Sequence, residues 1–140
     1  RVELEKLLDL HNSELKNIDT DIKQKKTCDY MFKRTAVYKE LVSCCDGPNY
    51  GKFVHWNELK QAVFDSYPNF ERSLLDYEEM SKIELYTCLL IKCKLNASSI
   101  AMLLCKTRTT VYSICKRLYF KNFGEKAPAS KWEELISTIY

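Results

Sequence analysis

The sequence predicts an all-α fold: a long N-terminal coiled-coil helix, then a smaller helical domain built around a helix-turn-helix. Three observations carry this. Glycine and proline number only three each in 140 residues, too few for the turns of a strand-rich chain. Apolar residues recur at spacings of three and four through most of the chain, the mark of one buried helix face. Near the N-terminus that spacing becomes a strict alternation of four and three.

The alternation runs through Leu4, Leu8, His11, Leu15, Ile18, Ile22 and Lys25. It is a heptad with a-positions at Leu8, Leu15 and Ile22 and d-positions at Leu4, His11, Ile18 and Lys25. Residues 1–46 are therefore expected to form a long helix that dimerises in parallel through Leu4, Leu8, Leu15, Ile18 and Ile22. His11 and Lys25 weaken the seam, and about three heptads make a marginal coiled coil by themselves. Beyond Lys25 an apolar face continues through Tyr30, Met31, Val37, Tyr38, Leu41 and Val42, and Asp46-Gly47-Pro48 is a stop signal.

Residues 47–79 form a helical linker region. After a loop over residues 49–54, Trp56, Leu59, Val63 and Phe64 share one face, with His55 or Asn57 beginning the helix. Tyr67-Pro68-Asn69 breaks it, and Phe70, Leu74 and Tyr77 start a further short helix. The aromatic residues here are expected in the core.

Residues 80–140 carry the densest pattern. Ile83, Leu85, Cys88, Leu89 and Leu90 make the first helix. Asn96, Ser98 or Ser99 caps the second, which contains Ile100, Ala101, Leu103 and Leu104. Cys105-Lys106-Thr107 is a tight connection. Val111, Ile114, Cys115 and Leu118 then give the buried face of a third helix that ends at Gly124. Helix, short turn and helix is the helix-turn-helix plan, and Ala101 supplies the small residue its close crossing needs. Ser130, three residues before Glu133, reads as a capping box opening a last helix through Trp132, Leu135, Ile136 and Ile139.

The formal charge is only +3, yet residues 80–140 hold ten Lys/Arg against four Asp/Glu, and residues 1–79 hold twelve against fifteen. A basic C-terminal half suits a polyanion. The seven cysteines include no Cys-x-x-Cys, and several sit inside apolar helical patterns, where thiols act as small hydrophobes. They read as reduced and cytosolic, and no metal site is expected because His11 and His55 lie far from any cysteine pair. No apolar run approaches a membrane span or a signal peptide. With no phosphate loop and no Ser-His-Asp or Cys-His arrangement, the chain is not expected to be an enzyme. The acidic Asp76, Glu78 and Glu79 read as a solvated helix end. No cofactor and no small-molecule ligand is expected. Because the sequence begins with Arg rather than Met, it reads as a fragment that a span or sensor could precede.

Residues 80–123 resemble the tetrahelical DNA-binding domain of LuxR/GerE-type response regulators. Glu84, Ile100-Ala101, Leu103-Leu104, Thr110-Val111 and Arg117-Leu118-Tyr119 carry the likeness. They resemble more closely the C-terminal part of bacterial one-chain sensor-regulators, through Leu90-Ile91-Lys92, Val111-Tyr112-Ser113-Ile114, Arg117-Leu118-Tyr119 and Phe123-Gly124. In that group a repeat-rich sensor, a membrane span and a coiled coil come before the domain. The resemblance implies a winged-helix-like, tetrahelical helix-turn-helix that binds double-stranded DNA as a homodimer and regulates transcription. It also implies a cytoplasmic output domain whose full-length protein is anchored in the inner membrane. Cys105 stands where glycine often makes the turn. Cys115 and Phe120 stand where basic residues are common.

On that plan the N-terminal half of the third helix enters the major groove. Arg108, Thr109, Tyr112 and Ser113 are expected at base edges, and Lys106, Lys116 and Lys121 at phosphates. Thr107 and Thr110 are expected to cap the helix and touch the backbone. The alternative is a degenerate helix-turn-helix used as a protein-interaction module, with Tyr112, Cys115 and Phe120 as its apolar patch.

Overall fold

Thirty-two consecutive residues free of Gly and Pro wind into the first helix of the computed structural model, which describes residues 2–47 and 49–140. This helix, α1 (Val2–Lys33), is about 48 Å long at 1.5 Å per residue. Glu3 and Glu5 complement the positive end of its dipole. Thr20 and Thr27 donate their hydroxyls to the carbonyls four residues back, at 2.9 Å each. Phe32 is its one buried side chain.

The long helix stops at Lys33 rather than continuing to residue 46. Thr35 ends it: its hydroxyl donates to the Phe32 carbonyl at 2.7 Å and accepts from the Tyr38 N–H at 3.3 Å. One side chain thus closes α1 and caps α2 (Ala36–Asp46). Gly47 ends α2 with its N–H on the Ser43 carbonyl at 2.8 Å. A Cβ at Gly47 would lie 2.7 Å from that oxygen, so the turn excludes larger residues. Pro48, part of the expected stop, lies outside the described residues, as does Arg1.

Next come α3 (Trp56–Ser66) and the short α4 (Phe70–Leu75). Leu59, Val63 and Phe70 are fully buried, and Trp56 stacks on Tyr86 with ring centroids 4.4 Å apart. The side chains buried in residues 49–79 belong to the same core as those of 80–140, without a gap at residue 79.

The remaining helices are α5 (Lys82–Lys92), α6 (Ala97–Leu103), α7 (Arg108–Phe123) and α8 (Ala129–Ser137). α5 is the central one, with every residue from Thr87 to Lys92 buried. Its start is a capping box: the Ser81 hydroxyl accepts from the Glu84 N–H at 3.3 Å, and the Glu84 carboxylate accepts from the Ser81 N–H at 2.8 Å. The expected box at Ser130 and Glu133 is absent. α8 begins earlier, with Pro128 at its N-cap and no side-chain cap bond. Pro supplies the extended backbone that the start needs, and Ser130 already lies inside the helix.

Among the described residues there are eight helices and no strand. The connection from α7 to α8 is a short loop, so the winged part of the expectation has no strand behind it.

Candidate nucleic-acid interface

α6 and α7 are joined by a tight reversal whose geometry follows from its hydrogen bonds. The Cys105 N–H donates to the Met102 carbonyl at 3.1 Å, and the Lys106 N–H reaches back to the Ala101 carbonyl at 2.8 Å. This is a Schellman motif, and it demands a left-handed residue at the first position past the cap. Cys105 occupies it, with φ +56°. That is the conformation glycine adopts most cheaply. The same motif ends α5, where Lys94 has φ +64°.

Two residues on, Thr107 caps α7. Its hydroxyl accepts from the Thr110 N–H at 3.1 Å and shares a 3.0 Å hydrogen bond with the Thr110 hydroxyl. Asn96 caps α6 in the same way, accepting from the Ser99 N–H at 2.8 Å. The two caps and the left-handed turn fix the entry of α7 into the domain.

α7 divides cleanly into two faces. Val111, Ile114, Cys115 and Leu118 are buried against α6, α5 and α8, as the three-and-four spacing predicts. Arg108, Thr109, Tyr112, Ser113 and Lys116 are exposed on the other side, with Lys106 and Thr107 exposed just before them and Thr110 half-buried at the junction. The turn and the first three turns of α7 therefore bring eight of the nine expected interface residues together. Lys106, Arg108 and Lys116 form no ion pair among the described residues.

Lys121 differs. Its ammonium donates to the Glu79 carbonyl at 2.9 Å and lies 3.9 Å from the Glu78 carboxylate. Beside it, Asn122 accepts from the Glu78 N–H at 2.8 Å. These bonds tie the segment before α5 to the end of α7, so Lys121 is occupied within the chain. Of the acidic residues here, the Glu78 carboxylate meets Lys121, while Glu79 contributes its backbone carbonyl. Cys115 also departs from the expected apolar surface patch: it is fully buried, and burial with the nearby Glu133 carboxylate pushes its thiol up to about 12. It fills the core as a neutral thiol. Tyr112 and Phe120 remain exposed, and neither joins an aromatic pair among the described residues.

A second polar centre escaped the sequence reading. Lys92 is fully buried in α5, with its ammonium 3.1 Å from the Ser137 carbonyl and over the rings of Tyr140 and Tyr67 at 3.6 and 4.1 Å. The two tyrosine hydroxyls donate to the two oxygens of Asp29 on α1, at 2.7 and 2.8 Å. Burial, with Lys94 nearby, pulls Lys92 down to about 8, against the pull of Asp29. Burial and the hydrogen bond to Asp29 push Tyr140 up to about 12 and Tyr67 further in the same direction. The cluster joins the C-terminal end of α1 to α5 and to the end of α8. The one available signal was Lys92 itself, a charge interrupting the apolar run Leu89-Leu90-Ile91.

The described residues contain no group of three or more His, Cys, Asp or Glu placed to hold a metal, and no helix long and apolar enough to cross a membrane. No family model matches the chain, and neither a curated protein nor a solved structure matches it.

Proposed function

We propose that the chain is the DNA-binding output part of a transcriptional regulator, a tetrahelical helix-turn-helix that reads double-stranded DNA with α7 as a homodimer. The observation that carries this reading is the two-faced α7 behind a Schellman turn. One face is locked into the core, and the other offers unpaired Lys106, Arg108 and Lys116 alongside Thr109, Tyr112 and Ser113. Arg108 suits guanine O6 and N7, the hydroxyls accept more than one base, and Tyr112 covers a thymine methyl or holds a phosphate. The half-buried Thr110 sets the Thr107 cap. The homodimer forms through α1, whose Leu4, Leu8, Leu15, Ile18 and Ile22 are all exposed at heptad spacing. Such a domain belongs in the cytoplasm, downstream of a sensor that a membrane anchor would hold.

Selection of binding sites from genomic DNA by the purified chain, at a stated salt concentration, tests the reading. Lys116→Ala should flatten the plot of log affinity against log salt by about 0.9 per protomer and weaken all sequences alike. Arg108→Ala and Tyr112→Ala should each lose about 1–3 kcal/mol on the selected site and little on random DNA. If all three variants fold and bind like the parent, α7 is not the reading helix.

One observation favours a second reading, a helix-turn-helix used as a protein-interaction module. Phe120 is 52% exposed on the outward face of α7. An aromatic ring in water on a rigid helix is a familiar mark of a contact surface.

A further inference from the structure

Phe120 does not stand alone. It lies one helical turn beyond Lys116 and lines, with Ala127 and Pro128, an open groove of about 590 Å3 between α7 and the loop leading to α8. Lys116, Arg117 and Lys126 complete its lining. All three cations are exposed, and none forms an ion pair among the described residues. Phe120 also differs from the other aromatics at this end of α7. Tyr119 packs against Phe123 with centroids 4.7 Å apart, and Phe123 meets Tyr77 at 6.1 Å, so those rings hold the fold. Phe120 is not among the described residues packed in or against the core.

The geometry points to a docking groove for an acidic peptide segment that carries one apolar anchor, presented by a partner protein. The anchor side chain rests on Phe120 between Ala127 and Pro128, and flanking carboxylates meet Lys116, Arg117 and Lys126. An apolar pocket ringed by arginine and lysine concentrates binding in one aromatic contact and steers an acidic partner toward it. A peptide fits better than a nucleic acid because the apolar lining is one ring with Ala127 and Pro128. It offers a single ring where a run of stacked bases would need several in succession. The proposal deepens the second reading and rests on it; it requires neither DNA nor the α1 dimer.

The test is selection from a random peptide library displayed on phage, with the intact chain as target and its Phe120→Ser variant as counter-target. The enriched peptides should be acidic with one conserved aromatic or aliphatic residue. A synthetic fluorescent copy of the best one should weaken at least about tenfold on Phe120→Ser, as an aromatic hot spot does. It should weaken similarly on a Lys116→Ala/Lys126→Ala double variant and lose affinity as salt rises. Lys82→Ala, an exposed lysine at the start of α5 outside the groove, should bind it unchanged, and circular dichroism should show every variant folded. Enrichment of neutral or basic peptides that still require Phe120 would overturn the acidic partner and leave the interaction module standing. Failure to enrich any peptide against the Phe120→Ser counter-target would overturn both. Oligothymidylate that binds in a Phe120-dependent manner and displaces the peptide would reassign the groove to single-stranded nucleic acid.

Discussion

α1 and α7 are both amphipathic helices, and the chain treats their apolar stripes in opposite ways. On α7 the stripe of Val111, Ile114, Cys115 and Leu118 is at most 1% exposed. On α1 the stripe of Leu4, Leu8, Leu15, Ile18 and Ile22 is 46–61% exposed. The end of α1 meets the body through Lys25 over the Tyr140 ring, and through Cys28, Asp29 and Phe32. Periodicity reports that a helix has a face to bury; it does not say against what. A spacing of three and four that drifts with the helix finds its partner inside the domain, whereas a strict heptad keeps one straight seam suited to another helix.

The largest expected effect lies on the buried side of that comparison. Leu118→Ala should lower stability by about 2–5 kcal/mol, read as a shift in the urea or thermal midpoint. Leu15→Ala, which removes the same atoms from water-exposed α1, should change the body's stability by less than about 0.5 kcal/mol. If the two changes cost alike, α1 packs on its own body in solution.

The next effect is an assembly change without a stability change. Replacing Leu15 and Ile22 together by Asp puts unpaired charges into the seam, where burial is strongly unfavourable. Sedimentation should then show a monomer in place of a dimer, with the thermal midpoint of the body unmoved and DNA binding weakened through lost avidity. A parent chain that is monomeric at tens of micromolar, a range in which so short a coiled coil is still marginal, would remove the α1 seam from the dimer reading.

A third experiment contrasts charge buried in the body with charge on α1. Lys92 titrates at about 8 in the folded chain against 10.5 when free, so between those values the unfolded chain holds more protons and stability rises with pH. Cys88 and Cys115 titrate at about 12 against 9.0, so from pH 9 upward the folded chain holds more protons and stability falls. Each group contributes a slope of about 1.4 kcal/mol per pH unit at most. Urea unfolding across the alkaline range should show a maximum near pH 9. In Lys92→Met the rise below the maximum should vanish and the fall above it should steepen. A profile identical to the parent's would mean that Lys92 keeps its ordinary titration in the fold.

The smallest effect concerns the turn. Cys105→Gly relieves a left-handed residue at the cost of a freer unfolded chain, and should stabilise by up to about 1 kcal/mol. Destabilisation instead would show that the Cys105 side chain makes a contact worth more than the strain.

The helices of the body were legible because each buries a face that repeats in the sequence. Leu59 and Val63, Ile100 with Leu103, and Val111 with Leu118 all fell where the spacing put them. Ends were harder. Thr107 and Asn96 cap as their chemistry suggests, but Ser81-Lys82-Ile83-Glu84 carries the same signature as Ser130 to Glu133 and only the former closes a box. The break at Thr35 was hidden because it uses neither Gly nor Pro, only one hydroxyl serving two helices. The junction of Asp29, Tyr67, Lys92 and Tyr140 was out of reach for a different reason. Asp29 and Tyr140 are 111 residues apart, and no local pattern encodes such a pairing. At the interface, the outward face of α7 was readable by subtraction from its buried face. The self-contained bonding of Lys121 depends on the backbone of Glu79, which the sequence does not position.

The left-handed cysteine of the turn has a practical side. All seven thiols are free, and Cys105 alone is exposed; the rest are buried or partly covered. A maleimide dye offered briefly should therefore mark the reversal between α6 and α7 before any other site, and its fluorescence would report directly when something settles on that end of α7. The same accessibility means that air can join two copies turn to turn. Such an adduct would sediment as a dimer while masking Lys106 and Arg108, so the weight of the chain in solution has meaning only when measured with reductant present.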